Sequence, residues 1–188
     1  MPHAYTQGLF DGPVDRLPAI QRDQLRRGQV VVTGKDGRYT ARILVNGSMG
    51  QVWSVLTDYG NLSRFIPNIT VSRILEDRGE QKVVEQVDRR QVFLVSVVSR
   101  TVLQIREEDR QKINFRLLEG DLQTLEGTWL IEPVSFVPRT PPTQVLITYT
   151  VHAQPLANIP ADAFYEIFTD SLTDTLTAIA KEVTRRSN

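Results

Sequence analysis

The last part of the chain, from Pro160 to Arg186, is a long amphipathic segment that constrains the fold more than any other feature. Its apolar residues recur at i, i+3 and i+4 spacing, on one helical stripe: Phe164, Ile167, Phe168, Leu172, Leu176, Ile179 and Val183. Pro160 suits a first helical position, and Asp162 near the start and Lys181 near the end agree with the helix dipole. The pattern predicts a helix about 40 Å long, whose apolar stripe has to be buried against another element.

Six stretches rich in β-branched residues precede this helix, and they predict strands. They are Thr70–Leu75, Gln81–Asp88, Val92–Ile105, Lys112–Leu118, Leu122–Ile131 and Gln144–Ala153. The alternation is clearest in the last stretch, where Val145, Ile147, Tyr149 and Val151 share one face. Short polar turns join successive stretches, which is typical of an antiparallel meander.

The part of the chain before Pro67 predicts a hairpin and short helices. A weak helix is expected at 17–27, and strands at 29–33 and 38–45 flank a turn at Gly34–Gly37. Ser48 followed by Gln51 forms a capping box for a helix that ends near Asp58–Gly60. A second helical turn, 61–65, is closed by Pro67.

Together these elements predict one α+β domain, in which a curved antiparallel sheet wraps around the long C-terminal helix, with two short helices after the first strands. The domain is expected to span residues 17–188, and residues 1–16 are expected to form a flexible tail, or a strap packed by Leu9 and Phe10. A curved sheet that closes on a single helix touches it along a line. This geometry favours a ligand cavity at the sheet–helix interface.

Composition excludes several classes of function. The 22 basic and 22 acidic residues cancel, so no overall field attracts nucleic acid. There is no cysteine, and His3 and His152 are the only histidines, which rules out thiolate and three-histidine metal sites. The apolar runs are too short to span a bilayer, and the start does not read as a secretory signal, so a cytoplasmic protein is expected. The glycine spacing matches no phosphate-binding loop, and no cofactor is expected.

The residues after the capping box resemble a known family signature. These are Val52-Trp53-Ser54-Val55-Leu56-Thr57-Asp58-Tyr59-Gly60-Asn61-Leu62, then Phe65-Ile66-Pro67-Asn68. They resemble the START-like, helix-grip superfamily, and within it the polyketide cyclase/dehydrase and lipid-transport family, which includes coenzyme-Q-binding START proteins. Gly120–Leu122 with Leu125–Pro133, and Tyr149–Pro155 with Ile159-Pro160, resemble its later landmarks. The resemblance implies a fold that grips a lipid, an isoprenoid quinone or an aromatic polyketide.

Aromatic residues predicted to point inward, together with one acid and one leucine, are the candidate ligand-binding residues. The set is Trp53, Tyr59, Phe65, Glu85, Phe93, Phe115, Trp129, Tyr149, Phe164, Phe168 and Leu172. Core packing is the competing interpretation for these side chains, and it is the favoured one for Trp53. The cavity itself rests on the resemblance and not on these residues alone.

Glu85 has two interpretations, because it lies between Val83 and Val87 on one strand face. Pointing inward, it would be desolvated, would have a raised pKa, and would donate a hydrogen bond to a ligand, with Arg89 or Arg100 as partner. The favoured alternative is that this face is wet. His152 alternates with the apolar set of its strand and is expected to point outward, away from any catalytic role.

The leading hypothesis is therefore non-catalytic binding, and also transfer, of a hydrophobic small molecule, with transient membrane contact as one route. No catalytic or metal-binding residue is assigned. One alternative is a polyketide aromatase/cyclase or dehydratase, which needs an acid, a base or an oxyanion stabiliser inside the pocket. Another is a scaffold with a filled cavity, whose arginine-rich sheet face binds a protein.

Overall fold

The computed structural model describes residues 12–92, 95–135, 137 and 140–187. Within them the helices are α1 Ala19–Arg26, α2 Met49–Leu56 and α3 Ala161–Ser187, with a 3-10 helix at Tyr59–Arg64. The strands are β1 Val31–Lys35, β2 Arg38–Asn46, β3 Ile69–Arg78, β4 Gln81–Val92, β5 Val95–Glu108, β6 Lys112–Gly120, β7 Leu122–Val134 and β8 Gln144–Pro155.

The eight strands form one antiparallel sheet in the order β1-β2-β8-β7-β6-β5-β4-β3. Strands β3 to β8 follow one another along the chain, as the predicted meander requires, and β8 then pairs with β2 so that the N-terminal hairpin extends the sheet. Helix α3 packs on the inner face of this sheet. The predicted α+β helix-grip fold is confirmed.

Two local predictions before the meander are also confirmed. The β1–β2 turn places Asp36 at φ 53° and Gly37 at φ 84°, the left-handed values that a tight two-residue hairpin needs. At the start of α2, the Ser48 backbone N–H donates to Gln51 Oε1 at 2.8 Å, and the Gln51 N–H donates to Ser48 Oγ at 3.3 Å. This capping box begins α2 directly after β2, and so positions the segment that carries Tyr59.

The main core lies between the inner face of the sheet, α2 and α3. Leu176 and Val183 of α3, Ile147 of β8 and Val52 of α2 are fully buried in it. A second, smaller cluster lies on the outer face, where Leu25 of α1 covers part of the sheet. Residues 12–16, which the sequence analysis assigned to the tail, contribute the buried Val14 to this cluster. Leu9 and Phe10 lie outside the described residues.

The C-terminal end of α3 is tied to the segment after α2 by a network of charges. Glu182 is 6% exposed and accepts hydrogen bonds of 2.7 Å from Arg185 and Arg186. Arg186 also donates to Asp58 at 2.7 Å and lies over the ring of Phe65, with its guanidinium carbon 5.6 Å from the centroid. These contacts fix the 3-10 helix against α3 and so hold one wall of the space between sheet and helix.

Candidate ligand-binding site

A cavity of about 420 Å³ lies between the inner face of the sheet and α3. Its walls come from α2, the 3-10 helix, strands β3 to β8 and the part of α3 up to Ile179. The volume falls in the range of small-molecule sites, roughly 300–1,000 Å³. The wall is mostly apolar, so the arrangement suits a hydrophobic ligand.

Aromatic rings line the cavity in two groups, one on the sheet and one on α3. Trp129 of β7 stacks on Tyr149 of β8, with ring centroids 3.9 Å apart and planes 8° from parallel. Phe115 of β6 lies 5.7 Å from the Tyr149 ring, and Phe164 stacks on Phe168 of α3 at 5.5 Å. Flat aromatic surfaces at these distances form a rigid wall against which a ligand can pack.

The structure brings most of the predicted site residues together. Those that line the cavity are Tyr59, Phe115, Trp129, Tyr149, Phe164, Phe168 and Leu172. Trp53 does not line it and packs in the main core, and Phe65 lies beneath Arg186 instead. Phe93 lies outside the described residues. Whether any of these side chains touches a ligand stays a prediction.

Glu85 is placed on the outer face of the sheet, away from the cavity, which corrects the inward interpretation. It accepts hydrogen bonds from Arg73 and, at 2.6 Å, from Arg100, and these guanidinium groups leave its side chain 6% exposed. The hydrogen bond from Arg73, then that from Arg100, lowers the pKa of Glu85 although burial opposes the shift. The carboxylate is therefore neither a raised-pKa donor nor a solvated group. Arg89 is exposed and does not pair with it.

Tyr59 is 4% exposed and contributes its ring to the cavity wall. Its backbone carbonyl accepts a hydrogen bond from the buried Ser72 hydroxyl, which fixes the 3-10 helix to β3. Its own hydroxyl is buried without a well-formed hydrogen bond in the described part of the chain. Burial first, and then the nearby Glu107 charge, raises the pKa of Tyr59, and burial raises that of Tyr149. Both phenols are therefore neutral at physiological pH.

The polar residues of the cavity were missed in the sequence analysis. Gln86, Asp88 and Arg90 of β4 and Thr101 of β5 line it. The three residues of β4 were missed because Val83 and Val87 make the opposite face of that strand the more apolar one in sequence, and the more apolar face is expected to point inward. The available signal was the alternation itself: if Glu85 points outward, Gln86 points inward.

The charged members lie at the cavity mouth, where Arg90 binds Asp88 through two hydrogen bonds of 2.7 and 3.1 Å. Asp121 lies at the same end and accepts a hydrogen bond from the Arg100 backbone N–H. Beside these groups, Val97, Val98 and Ile159 are exposed large apolar residues that also line the cavity. The mouth therefore combines hydrogen-bonded charged groups with an exposed apolar rim.

A different depression, of about 810 Å³, runs across the outer face of the sheet. Its polar lining includes Arg38, Arg106, Arg116, Glu126 and His152. His152 Nδ1 lies 3.6 Å from Glu126 Oε1, on the side of the sheet opposite the cavity, as its predicted outward position requires. The described residues contain no group of three or more His, Asp or Glu side chains that could hold a metal ion.

Residues 45–180, most of the chain, match the model of the family described as polyketide cyclase/dehydrase and lipid transport. The chain belongs to this family. Known structures of the START superfamily share its fold. A STAR-related lipid transfer protein from Xanthomonas axonopodis matches with a TM-score of 0.67 and 16% identity, over 82% of this chain and 92% of that one.

Two further structures of the same fold extend the comparison. The Zhui aromatase/cyclase from Streptomyces sp. R1128 has a TM-score of 0.63 and 18% identity, over 80% of this chain and 95% of its own. A START superfamily protein from Mycobacterium smegmatis has a TM-score of 0.63 and 15% identity, over 78% of this chain and 97% of that one. A search of curated protein sequences found no match to this chain. In the residues that the structure describes, no helix has the length and apolar character needed to cross a membrane.

Proposed function

We propose that this protein binds a hydrophobic small molecule, such as a lipid, an isoprenoid quinone or a polyketide, in the cavity between the sheet and α3, and releases it through the mouth. The observation that carries the proposal is the cavity itself, about 420 Å³ with an aromatic and aliphatic wall. Burying an apolar ligand against such a wall contributes roughly 25 cal/mol per Å² of apolar surface. Neither His152 nor Glu85 lines the wall, and of the charged residues that do, Asp88 and Arg90 bind each other, so binding without catalysis is the simpler function.

Transfer is supported by the exposed apolar rim of the mouth. Val97 and Val98 are 48% and 49% exposed and lie at the entrance together with Ile159. A rim of this kind can contact a membrane surface transiently while a ligand leaves or enters, because it has apolar surface to bury there. We propose such contact as the route of exchange.

The first test is to purify the protein gently, denature it, and identify the organic molecules that it releases by mass spectrometry. One lipid, quinone or polyketide in stoichiometric amount would support the proposal and identify the ligand class. If nothing is released, direct binding decides: Nile red and a panel of lipids and quinones are titrated into the folded protein. Failure of all of them to bind would refute the proposal.

A matched pair of α3 variants then tests whether binding occurs in the cavity. Ile167 lines the cavity, so Ile167→Trp places a large ring inside it, whereas Thr173 is exposed on the same helix, so Thr173→Trp does not. We expect Ile167→Trp to weaken Nile red binding at least tenfold and Thr173→Trp to leave it unchanged, as measured by fluorescence titration. Equal binding by both variants would place the site elsewhere.

An enzymatic function is the second candidate, favoured by the Asp88–Arg90 pair at the mouth and by the shared fold with the Zhui aromatase/cyclase. An arginine held in a fixed orientation can stabilise a developing oxyanion. Incubation with poly-β-ketone substrates, followed by product analysis, discriminates the two functions. Turnover that Arg90→Gln abolishes while ligand binding is retained would establish catalysis in place of binding alone.

A further inference from the structure

Gln86 and Thr101 face each other across strands β4 and β5, directly opposite in the sheet register. Both line the cavity, further along the strands from the mouth than the Asp88–Arg90 pair. Side chains in directly opposed positions have Cβ atoms about 5 Å apart, so one small ligand group can reach both.

Neither side chain has a hydrogen-bond partner among the residues that the structure describes. Thr101 is only 9% exposed, and Gln86 is half-buried. By contrast the hydroxyl of Ser171, a buried residue that also lines the cavity, donates to the Phe168 carbonyl at 2.6 Å. The polar atoms of Gln86 and Thr101 are therefore not used inside the protein and are available to a ligand atom that accepts or donates a hydrogen bond.

We infer that Gln86 and Thr101 form a polar subsite that binds a neutral oxygen of the ligand, a carbonyl or a hydroxyl group. This inference rests on the proposed function and narrows its ligand class to apolar molecules that carry such an oxygen part-way along their length. The amide N–H₂ and the threonine hydroxyl both donate to a carbonyl oxygen, and the amide oxygen accepts from a hydroxyl. Both groups are uncharged, and Asp88 already compensates the charge of Arg90, the arginine among the described residues that line the cavity, so nothing at the subsite favours a fully charged carboxylate or phosphate over a neutral oxygen.

A pair of near-isosteric probes isolates the contribution of the ligand oxygen to binding. 2-Acetylnaphthalene and 2-isopropenylnaphthalene differ by one carbonyl oxygen in place of a CH₂ group, and the dissociation constant of each is measured by displacement of Nile red. Thr101→Val and Gln86→Met remove the hydrogen-bonding groups with little change in volume. We expect each variant to weaken the binding of the ketone relative to the alkene by roughly three- to tenfold, with alkene binding unchanged or tighter.

Thr150→Val is the matched control, because Thr150 is exposed on the outer face and the same atoms are exchanged there. It should leave the ketone-to-alkene ratio as in the unaltered protein. If the alkene binds but the ratio is the same in all four proteins, the polar subsite is wrong and the hydrophobic site stands. If Nile red, both probes and the panel of lipids and quinones all fail to bind in direct titrations, the proposed function fails together with the subsite.

Discussion

At the scale of single residues, neighbours on β4 have opposite roles because a strand presents alternate side chains to opposite faces. Glu85, on the outer face, has both oxygens occupied by arginines. Gln86, on the inner face, has no partner in the described chain and lines the cavity. Glu85, which the sequence analysis singled out, thus forms ion pairs on the outer face, and Gln86, which it did not, lies in the candidate site.

Glu182 gives a prediction about acid stability. The hydrogen bond from Arg185, and then that from Arg186, lowers its pKa from the ordinary 4.5 to about 2 although burial opposes the shift. A carboxylate whose pKa is lowered by folding stabilises the folded state above its unfolded pKa, and this stabilisation disappears as the pH falls through the folded value. We expect Glu182→Gln to lower the free energy of unfolding by roughly 1.5–3 kcal/mol at pH 7. The difference should shrink between pH 4.5 and 2, as measured by urea denaturation.

Glu166→Gln is the control for this experiment, since Glu166 is exposed on the same helix. Its unfolding free energy should stay within about 0.5 kcal/mol of the unaltered protein at every pH. A Glu182→Gln deficit that is the same at pH 7 and pH 2.5 would show that packing, and not the charge, is responsible.

The sequence predicted correctly which side chains point inward where size and periodicity decide the outcome, whereas ligand contact by those side chains stays a prediction. Phe115 and Tyr149 alternate with polar residues on central strands, and both line the cavity together with Trp129. The prediction failed for β4, where the cavity-facing residues are polar and the outward valines imitate a core face. The period of two divides the residues of a strand between two faces. It does not show which face points into the protein when both faces carry polar and apolar residues.

At the scale of secondary-structure elements, β7 and β8 approach so closely at Gly127 that no side chain fits. A Cβ there would lie 2.1 Å from the Thr150 carbonyl oxygen and 2.8 Å from Phe115 Cζ. Gly127→Ala should therefore destabilise the protein by about 1–3 kcal/mol, the usual cost of overpacking, and displace Phe115 from the aromatic wall. Thermal or urea unfolding measures the first effect, and Nile red affinity the second.

Gly60→Ala makes the same exchange in the 3-10 helix, where a Cβ would meet nothing within 4 Å. It should change the free energy of unfolding by no more than about 0.5 kcal/mol. If Gly127→Ala were as well tolerated as this control, β7 and β8 would have to separate locally without loss of packing.

Elements were predicted well in type and order, and less well in extent. The strands of the meander extend beyond most of the predicted limits; β3, for example, runs on through Glu76 to Arg78. Backbone pairing continues through polar residues at hairpin ends because the ladder does not depend on side-chain polarity. The Ser48–Gln51 start of α2 was predictable because a capping box is a local interaction.

At the scale of the whole molecule, the outer face is covered only in part, by α1 and the segment before it. Val14 is 3% and Leu25 1% exposed in this cover, and Arg26 pairs with Asp15 at 3.2 Å. We propose that the folded domain includes residues 12–16 as well as the predicted 17–188. This extension could not be read from the sequence, because a short segment without periodicity shows its packing only in three dimensions.

The cavity also has a mechanical consequence. Its roughly 420 Å³ is space that the chain's own side chains do not fill, and unfolding removes it. Hydrostatic pressure favours the state of smaller volume, so the free protein should unfold under pressure with a volume change near the large end of −20 to −100 mL/mol. Saturation with 2-acetylnaphthalene, or the Ile167→Trp exchange, should reduce that volume change, as followed by tryptophan fluorescence under pressure. An identical volume change in the free, ligand-saturated and Ile167→Trp proteins would mean that the cavity closes when no ligand fills it. A smaller volume change in the two filled proteins would mean that the folded protein is compressible at its ligand-binding cavity.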